Sequence, residues 1–214
     1  MQMALRRHRR DLSPTRRDLI QQVVGAEGTP EGYFSGGFIC ALGLRATLSL
    51  FNRRVEQFRR VLDFGCGPAR VVRWFTDTEN GRKLYGCDIN EPAIRWSRAN
   101  VPGVEFAVTG THPPLPYPDR FFDLIYGISV LSHLDQDLQD LWLGELYRVT
   151  KPGGFVLLTV HGDDKAYNDL PEDEYEEFQQ RGFLYKRASE QCSVEGLPDF
   201  YQVAYHSLQY IQSY

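Results

Sequence analysis

Arg60-Val61-Leu62-Asp63-Phe64-Gly65-Cys66-Gly67-Pro68-Ala69-Arg70 is the stretch on which the fold of this chain turns. Its first five residues read as a short apolar strand. Gly65 and Gly67 then remove side chains where a ligand must approach the backbone, and Pro68 suits the first position of a helix. That helix is expected over Ala69-Arg70-Val71-Val72-Arg73-Trp74-Phe75, its start offering free N–H groups and a positive dipole end.

Downstream, strand and helix patterns alternate. Lys83 to Asp88 predicts a second strand, and Asn90 caps a helix with Pro92 in its first turn. Val104 to Thr109 predicts a third strand, Phe121 to Ile125 a fourth, and Asp135 to Val149 a helix. Lys151 to Gly154 reads as a turn before a fifth strand, Phe155 to Val160. Apolar strands alternating with helices imply an α/β, doubly wound, mostly parallel sheet covered on both faces. Upstream, a helix is expected over residues 15 to 24, broken by Gly25, Gly28 and Pro30, and a second apolar helix from Gly37 to Phe51. Past residue 162, Pro171 to Gln180 looks like an acidic helix, and Phe183 to Arg187 and Tyr201 to His206 like two extra strands.

The bulk numbers narrow the class. With 214 residues, 42% hydrophobic and 24% charged, the chain fits one globular domain with a sizeable core. No apolar run approaches the roughly 20 residues of a membrane span, and the N-terminal arginines lack a following apolar region of a secretory signal. Cys40, Cys66, Cys87 and Cys192 are scattered, which disfavours a zinc site or disulfide framework and points to a reducing, cytoplasmic setting. A net charge of −4 gives no general reason to expect nucleic acid. Charge is uneven: arginines dominate residues 6 to 17, either a solvated terminus or a basic arm for phosphates or an anionic membrane, and residues 163 to 177 are acidic.

Ligands of open parallel sheets bind beyond the carboxyl ends of the strands. Counted as the dinucleotide fingerprint G-x-G-x-x-G, the turn puts Arg70 in the third glycine's place, a poor substitute. Counted as D-x-G-x-G-x-G, it puts the small Ala69 there and includes Asp63. Asp88, at the end of the second strand, is placed to bind ribose hydroxyls in either case.

The segments VLDFGCGPARVVRW, YGCDINEPAIRWSRAN, PPLPYPDRFFDLIYGISVLSHL and ELYRVTKPGGFVLLTVHG, in that order, resemble the class I S-adenosylmethionine (SAM)-dependent methyltransferases of the broad type 11/12 group, over about residues 60 to 162. The resemblance implies a Rossmann-like methyltransferase fold with SAM as cofactor and S-adenosylhomocysteine as product. Asp63, Gly65, Cys66 and Gly67 would line its methionine part, Asp88 would take the ribose diol, and Ile89 would pack on the adenine. Thr109, Gly110 and Thr111 would lie at the adenine edge, where the group often has an Asp or Asn that this chain lacks. Gly127, Ile128 and Ser129 would lie beneath the sulfonium. Residues 1–59 would form an N-terminal helical lid, 60–162 the SAM-binding core, and 163–214 C-terminal additions of the same domain. Tyr33-Phe34-Ser35-Gly36-Gly37 would belong to that lid, with an ordinary packed inter-helix turn as the alternative. The group usually ends in an antiparallel strand pair, so a truncated C-terminus is expected, with homodimerisation as a way to cover an exposed sheet edge.

For the acceptor, methyl transfer needs orientation first and a base only when a hydroxyl must lose its proton. His133 is the candidate base, with His161, Tyr126 and His206 behind it and His112 in a loop. The tetrapeptide of exocyclic-amine methylation and the Pro-Cys pair of cytosine methylation are absent, and no Asp follows the fourth strand as in metal-dependent enzymes. A metal-free transfer to a small-molecule acceptor, most simply to oxygen, remains. Two rivals stand beside it. One is a non-catalytic SAM-binding scaffold or partner subunit. The other is an NAD(P)-dependent reductase or epimerase using Tyr147 and Lys151, at Tyr-x-x-x-Lys spacing.

Overall fold

Strands rich in Val, Leu and Ile with no polar alternation require cover on both faces, and the chain supplies it. In the computed structural model, which describes residues 16–25, 27–76, 81–186 and 202–213, five parallel strands run β1 (Arg60–Phe64), β2 (Lys83–Asp88), β3 (Val104–Val108), β4 (Phe122–Gly127) and β5 (Thr150–Leu158). Their order in the sheet is β3-β2-β1-β4-β5. The chain reverses direction between β1 and β4, which makes the carboxyl ends of those strands the switch-point crevice. The basic stretch around Arg6 to Arg10 and Cys192 lie outside the described residues.

Helices α1 (Arg17–Val24), α2 (Pro30–Leu50) and α3 (Glu91–Asn100) precede β1 or link β2 to β3, and α4 (Gln136–Val149) links β4 to β5. One face of the sheet packs Val61, Leu84, Leu124 and Phe106 with Leu44 and Leu48 of α2 and Ile94 of α3. The other face packs Leu62, Tyr85, Phe122 and Ile125 with Leu138, Trp142 and Leu146 of α4. Beyond β5 come α5 (Asp163–Asp169), α6 (Glu172–Arg181), β6 (Phe183–Lys186), β7 (Val203–His206) and α7 (Leu208–Gln212). β6 and β7 form an antiparallel pair of their own, tied to the main sheet through a bridge between Tyr205 and His161.

Three elements differ from the sequence expectation. α2 begins at Pro30 and not at Gly37, because Thr29 caps it by accepting the Gly32 N–H at 3.0 Å and Pro30 takes the first helical position. Pro30 is thus a start signal where a breaker was expected. At 21 residues α2 is also long and apolar enough to cross a membrane by length and composition, where no such run was expected. Tyr33, Gly37, Ala41, Leu44 and Leu48 along one side of it are nevertheless built into the core. Lys151 to Gly154 lies inside β5, and two residues of advance on β4 are matched there by five on β5. The expected turn is a bulge within a strand.

The third difference is at the pivotal turn. No α-helix forms over Ala69–Phe75; a turn leads to a 3₁₀ segment, Val72–Phe75. Ala69 sits at φ +58°, and side chains take the bonds a first helical turn would use. The Val72 N–H is held by Asp63 Oδ2 at 3.1 Å, and the Pro68 carbonyl accepts from Tyr33 Oη at 2.8 Å and Arg73 Nη2 at 2.9 Å. Arg73 Nε also donates to the Ala69 carbonyl at 2.7 Å. The helix dipole expected to face a ligand is therefore absent, and the turn itself makes the binding surface.

Gly37 allows α2 to press on this turn: a Cβ there would sit 2.2 Å from the Arg70 carbonyl oxygen, whereas one at Gly43 meets nothing within 4 Å. Gly37→Ala is expected to destabilise by about 1–3 kcal/mol through overpacking. Gly43→Ala is expected to stabilise by about 0.5–1 kcal/mol through helix propensity. Urea unfolding midpoints of the two variants check both signs.

Candidate active site

The turn after β1 is held from below and open from above. The N–H groups of Gly65 and Cys66 both donate to the Cys87 carbonyl, at 2.9 and 3.0 Å, which fastens β1's exit to β2. Cys66, Pro68 and Ala69 are buried, while Gly65 and Gly67 remain accessible. Both glycines have positive φ, +72° and +49°. A Cβ at Gly65 would stand 2.3 Å from Val130 Cγ2, so the loop after β4 closes directly on it. A Cβ at Gly67 would project between Val23 and Asp88, at 3.8 and 4.0 Å, into the hollow where a ligand must lie.

Asp88 forms the far wall of that hollow. Its Oδ2 accepts the Gly67 N–H at 2.6 Å and its Oδ1 accepts the Asn90 N–H at 2.8 Å. The Ile89 N–H also bonds this carboxylate, so of its four lone pairs one remains for a hydroxyl donor such as that of a ribose. Burial raises the Asp88 pKa, and the N–H bonds from Asn90 and Gly67 oppose the shift. The donor set and the glycine hollow fit a ribose-bearing cofactor.

Asp63 stands behind the turn and not in the hollow. It is 2% exposed, bonded to the Val72 N–H, and faced by the Tyr126 phenol. Burial pushes its pKa up to about 8. Cys66 is likewise turned inward. Its carbonyl accepts from the Ala69 N–H at 2.9 Å, and burial drives its thiol pKa well up. Both side chains shape the turn that carries Gly65 and Gly67.

Ile89, Thr109 and Gly110 follow the ends of β2 and β3 on the same rim, with the Thr109 N–H on the Asp88 carbonyl at 2.9 Å. The Thr111 carbonyl accepts from the Trp142 indole at 3.3 Å, which anchors the rim to α4. Gly127 ends β4 in close contact, a Cβ there meeting Leu158 at 2.9 Å. Ile128 packs against the core, and exposed Ser129 takes φ +58° with its N–H on Thr159 Oγ1 at 2.8 Å. Tyr33 is fully buried in α2 and fixes the turn through Pro68, so it is not a flexible lid residue. The segment that does overlie the hollow is α1. Val23 approaches Gly67, and Gln22 Oε1 accepts from Asn90 Nδ2 at 2.9 Å. Gln22, Val23 and Val130 went unnoticed in sequence because nothing local marks a residue that meets its partner only across the fold.

His133 lies on a short 3₁₀ turn, Leu131–His133, after β4. Its Nδ1 is 2.7 Å from the Gln202 carbonyl, which can only accept, so Nδ1 carries the proton and Nε2 is the basic nitrogen. Burial lowers its pKa, the Gln202 bond opposes this, and neighbouring His161 adds to the lowering, so the ring is neutral at pH 7. The His161 ring centroid is 6.1 Å from that of His133 and 5.6 Å from that of Tyr205. His206 is buried against Gln139 Oε1 at 2.9 Å, with its pKa pushed down to about 4 by burial. Tyr126 is buried beside Asp63, and His112 is exposed. Lys151 pairs with Asp123 while Tyr147 is 84% exposed on α4, so the Tyr-x-x-x-Lys spacing builds no common site.

Residues 62–158 match the family described as methyltransferase domain. A fatty-acid O-methyltransferase of Mycolicibacterium smegmatis is 36% identical over 134 residues, 60% of this chain and 47% of the relative. A malonyl-[acyl-carrier protein] O-methyltransferase of Salmonella typhimurium is 33% identical over 115 residues, 54% of this chain and 43% of the relative. The chain thus spans about half the length of the curated relatives it matches. A crystal structure of a SAM-dependent methyltransferase from Thermotoga maritima superposes with a TM-score of 0.52 over 91% of this chain and 76% of its own, at 18% identity, a likeness of fold alone.

The raised pKa of Asp63 has a sign that can be measured. Between its unfolded value of 3.8 and its folded value of about 8, the unfolded chain releases a proton that the folded chain retains. Wild-type stability should therefore fall as pH rises from 5 to 8, by at most about 1.4 kcal/mol per unit from this group. Asp63→Asn keeps an acceptor for the Val72 N–H and removes the titration, so its urea midpoint should depend less on pH over that range. Equal slopes would mean that the carboxyl is ionised in the fold.

Proposed function

The α/β core of this chain being a class I SAM-dependent methyltransferase domain, we propose that the protein transfers the methyl group of SAM to an oxygen of a small-molecule acceptor, with His133 as the base. The observation that carries the reading is the hollow between Gly65, Gly67 and Asp88, whose carboxylate keeps acceptor capacity for a ribose hydroxyl. When bound, the cofactor supplies an activated methyl on a sulfonium centre. Asp88 would hold a ribose hydroxyl, the glycine turn would give room to the methionine part, and Ile89, Thr109, Gly110 and Thr111 would border the adenine. Gly127, Ile128 and Ser129, at the end of β4, would lie below the reacting carbon.

Oxygen as acceptor is supported by the two relatives, both named for O-methylation. The tautomer of His133 supports it independently. With Nδ1–H committed to Gln202, Nε2 would be the nitrogen to accept a proton from an acceptor hydroxyl, while the bound cofactor would supply the methyl and leave as its thioether. The lowered pKa keeps that nitrogen unprotonated at neutral pH. An acceptor that is already a carboxylate needs no such step, and for it His133 would only orient.

Titration calorimetry with SAM tests the cofactor half: Asp88→Ala should weaken binding by about 1–3 kcal/mol through loss of charge-assisted hydrogen bonds. Unchanged affinity would displace the ribose from Asp88. A SAM-consumption assay across phenols, sugars, lipids and carboxylic acids tests the acceptor half. With a hydroxyl acceptor, His133→Gln should leave SAM affinity intact and lower turnover by about 10²–10⁴. Measurable SAM binding with no consumption on any acceptor would favour a non-catalytic scaffold.

A further inference from the structure

The outer side of α2 carries no function in the site described above, yet with the Phe51 that caps it this helix holds four of the ten exposed large apolar side chains among the described residues. Ile39 is 64% exposed, Leu42 47%, Leu50 81% and Phe51 57%. At helical spacing Ile39, Leu42, Ala46 and Leu50 fall on one stripe, and Phe51 extends it, about 18 Å in all. The positions between and beside them are Gly43, Thr47 and Ser49, all exposed and all uncharged. The two charged residues of α2 lie elsewhere: Glu31 is in the first turn, and Arg45 points aside to pair with Glu56 and stack over Phe75.

The stripe ends in cations. Arg53, Arg54 and Arg59 are exposed and form no ion pair among the described residues. The Arg53 N–H donates to the Leu48 carbonyl at 3.0 Å, so this arginine is fixed to the last turn of the helix, beside Leu50 and Phe51. Glu56, the sole carboxylate between residues 51 and 60, is already paired with Arg45. In a chain of net charge −4, this end is locally basic and carries two exposed apolar side chains, Leu50 and Phe51.

We propose that the outer face of α2 and the arginine loop after it dock the protein on an anionic lipid bilayer, with Leu50 and Phe51 entering the interface and Arg53, Arg54 and Arg59 meeting lipid phosphates. Apolar side chains projecting from a helix and flanked by unpaired cations are what an interfacial anchor requires. The pairing of one-signed charge with an uncharged stripe matches a headgroup layer better than it matches a second copy, which would present the same cations. The opposite face of α2 holds Tyr33 and Gly37 against the turn at Pro68 and Arg70, so a docked helix would set the binding hollow at a fixed height above the lipid.

Co-sedimentation of the whole chain with vesicles of phosphatidylcholine, alone or mixed with phosphatidylglycerol, tests this directly. Partition should be at least about tenfold stronger on the anionic vesicles and should weaken with salt. Leu50→Ser with Phe51→Ser, and separately Arg53→Glu with Arg54→Glu, should each lower it about tenfold or more. Circular dichroism checks that these variants fold, and Leu50→Trp gives a second readout, a blue shift of emission on anionic vesicles. Absence of wild-type binding, equal binding to neutral vesicles, or variants that bind as well as wild type would each overturn the proposal. So would a dimer in light scattering that the same substitutions dissociate, since that would assign the face to a second copy.

Discussion

A single buried carboxyl organises the site by displacing a helix. Asp63 takes the N–H of Val72, which an ordinary helix would have given to the Pro68 carbonyl. That carbonyl is then free for Tyr33 from α2 and for Arg73 from the 3₁₀ segment. An exchange of backbone for side-chain partners leaves few buried groups unmet, which is why an irregular turn survives in a dry interior. It also binds three distant parts of the chain to one loop. The glycines above it are left with a fixed shape and no need to reorganise when a ligand arrives.

Rigidity on one side of the hollow is matched by polarity on the other. Asp88 is locked by N–H donors, among them one from the glycine turn and one from the cap of α3, so its carboxylate plane is set before anything binds. Asn90 serves twice, capping α3 through its Oδ1 and reaching α1 through its Nδ2. Helix α1 is therefore coupled through Asn90 to the carboxylate of Asp88.

The parallel sheet and the succession of strands and helices along the chain were legible because continuous apolar runs, Gly turns and Asn caps are local signals. The position of Asp88 was legible for the same reason. What escaped was decided by contacts between segments far apart in sequence. Ala69 to Phe75 has helical composition, but Asp63, Tyr33 and Arg73 outcompete the helix for its hydrogen bonds. Gly36 and Gly37 fitted a lid segment or an inter-helix turn in sequence, whereas Gly37 lies within α2 and is required by the close approach of that helix to Arg70. The burial of Cys66 and Asp63 beneath the turn was likewise not legible, since a motif fixes positions and not side-chain directions. Lys151–Gly154 has turn composition, and only the strand pairing shows it as a bulge inside β5.

On the acceptor side the same logic operates through a buried amide. Gln139 Nε2 donates to the carbonyls of both Leu131 and Leu134, at 3.0 and 2.9 Å, and so clamps the turn that carries His133. With its amide nitrogen spent there, Gln139 must present Oε1 to His206, whose Nε2 therefore carries a proton. His206 belongs to β7, and Gln202, just before β7, holds Nδ1 of His133. The basic nitrogen of His133 is thus aimed by a chain of partners that begins in the small β6-β7 sheet, outside the segment shared with the methyltransferase-domain family. In the proposed site the cofactor half rests on the parallel sheet, whereas the acceptor half rests on elements added after β5. Differences in acceptor among proteins with this core are then expected to arise from those additions, where a few hydrogen bonds decide which way one imidazole faces.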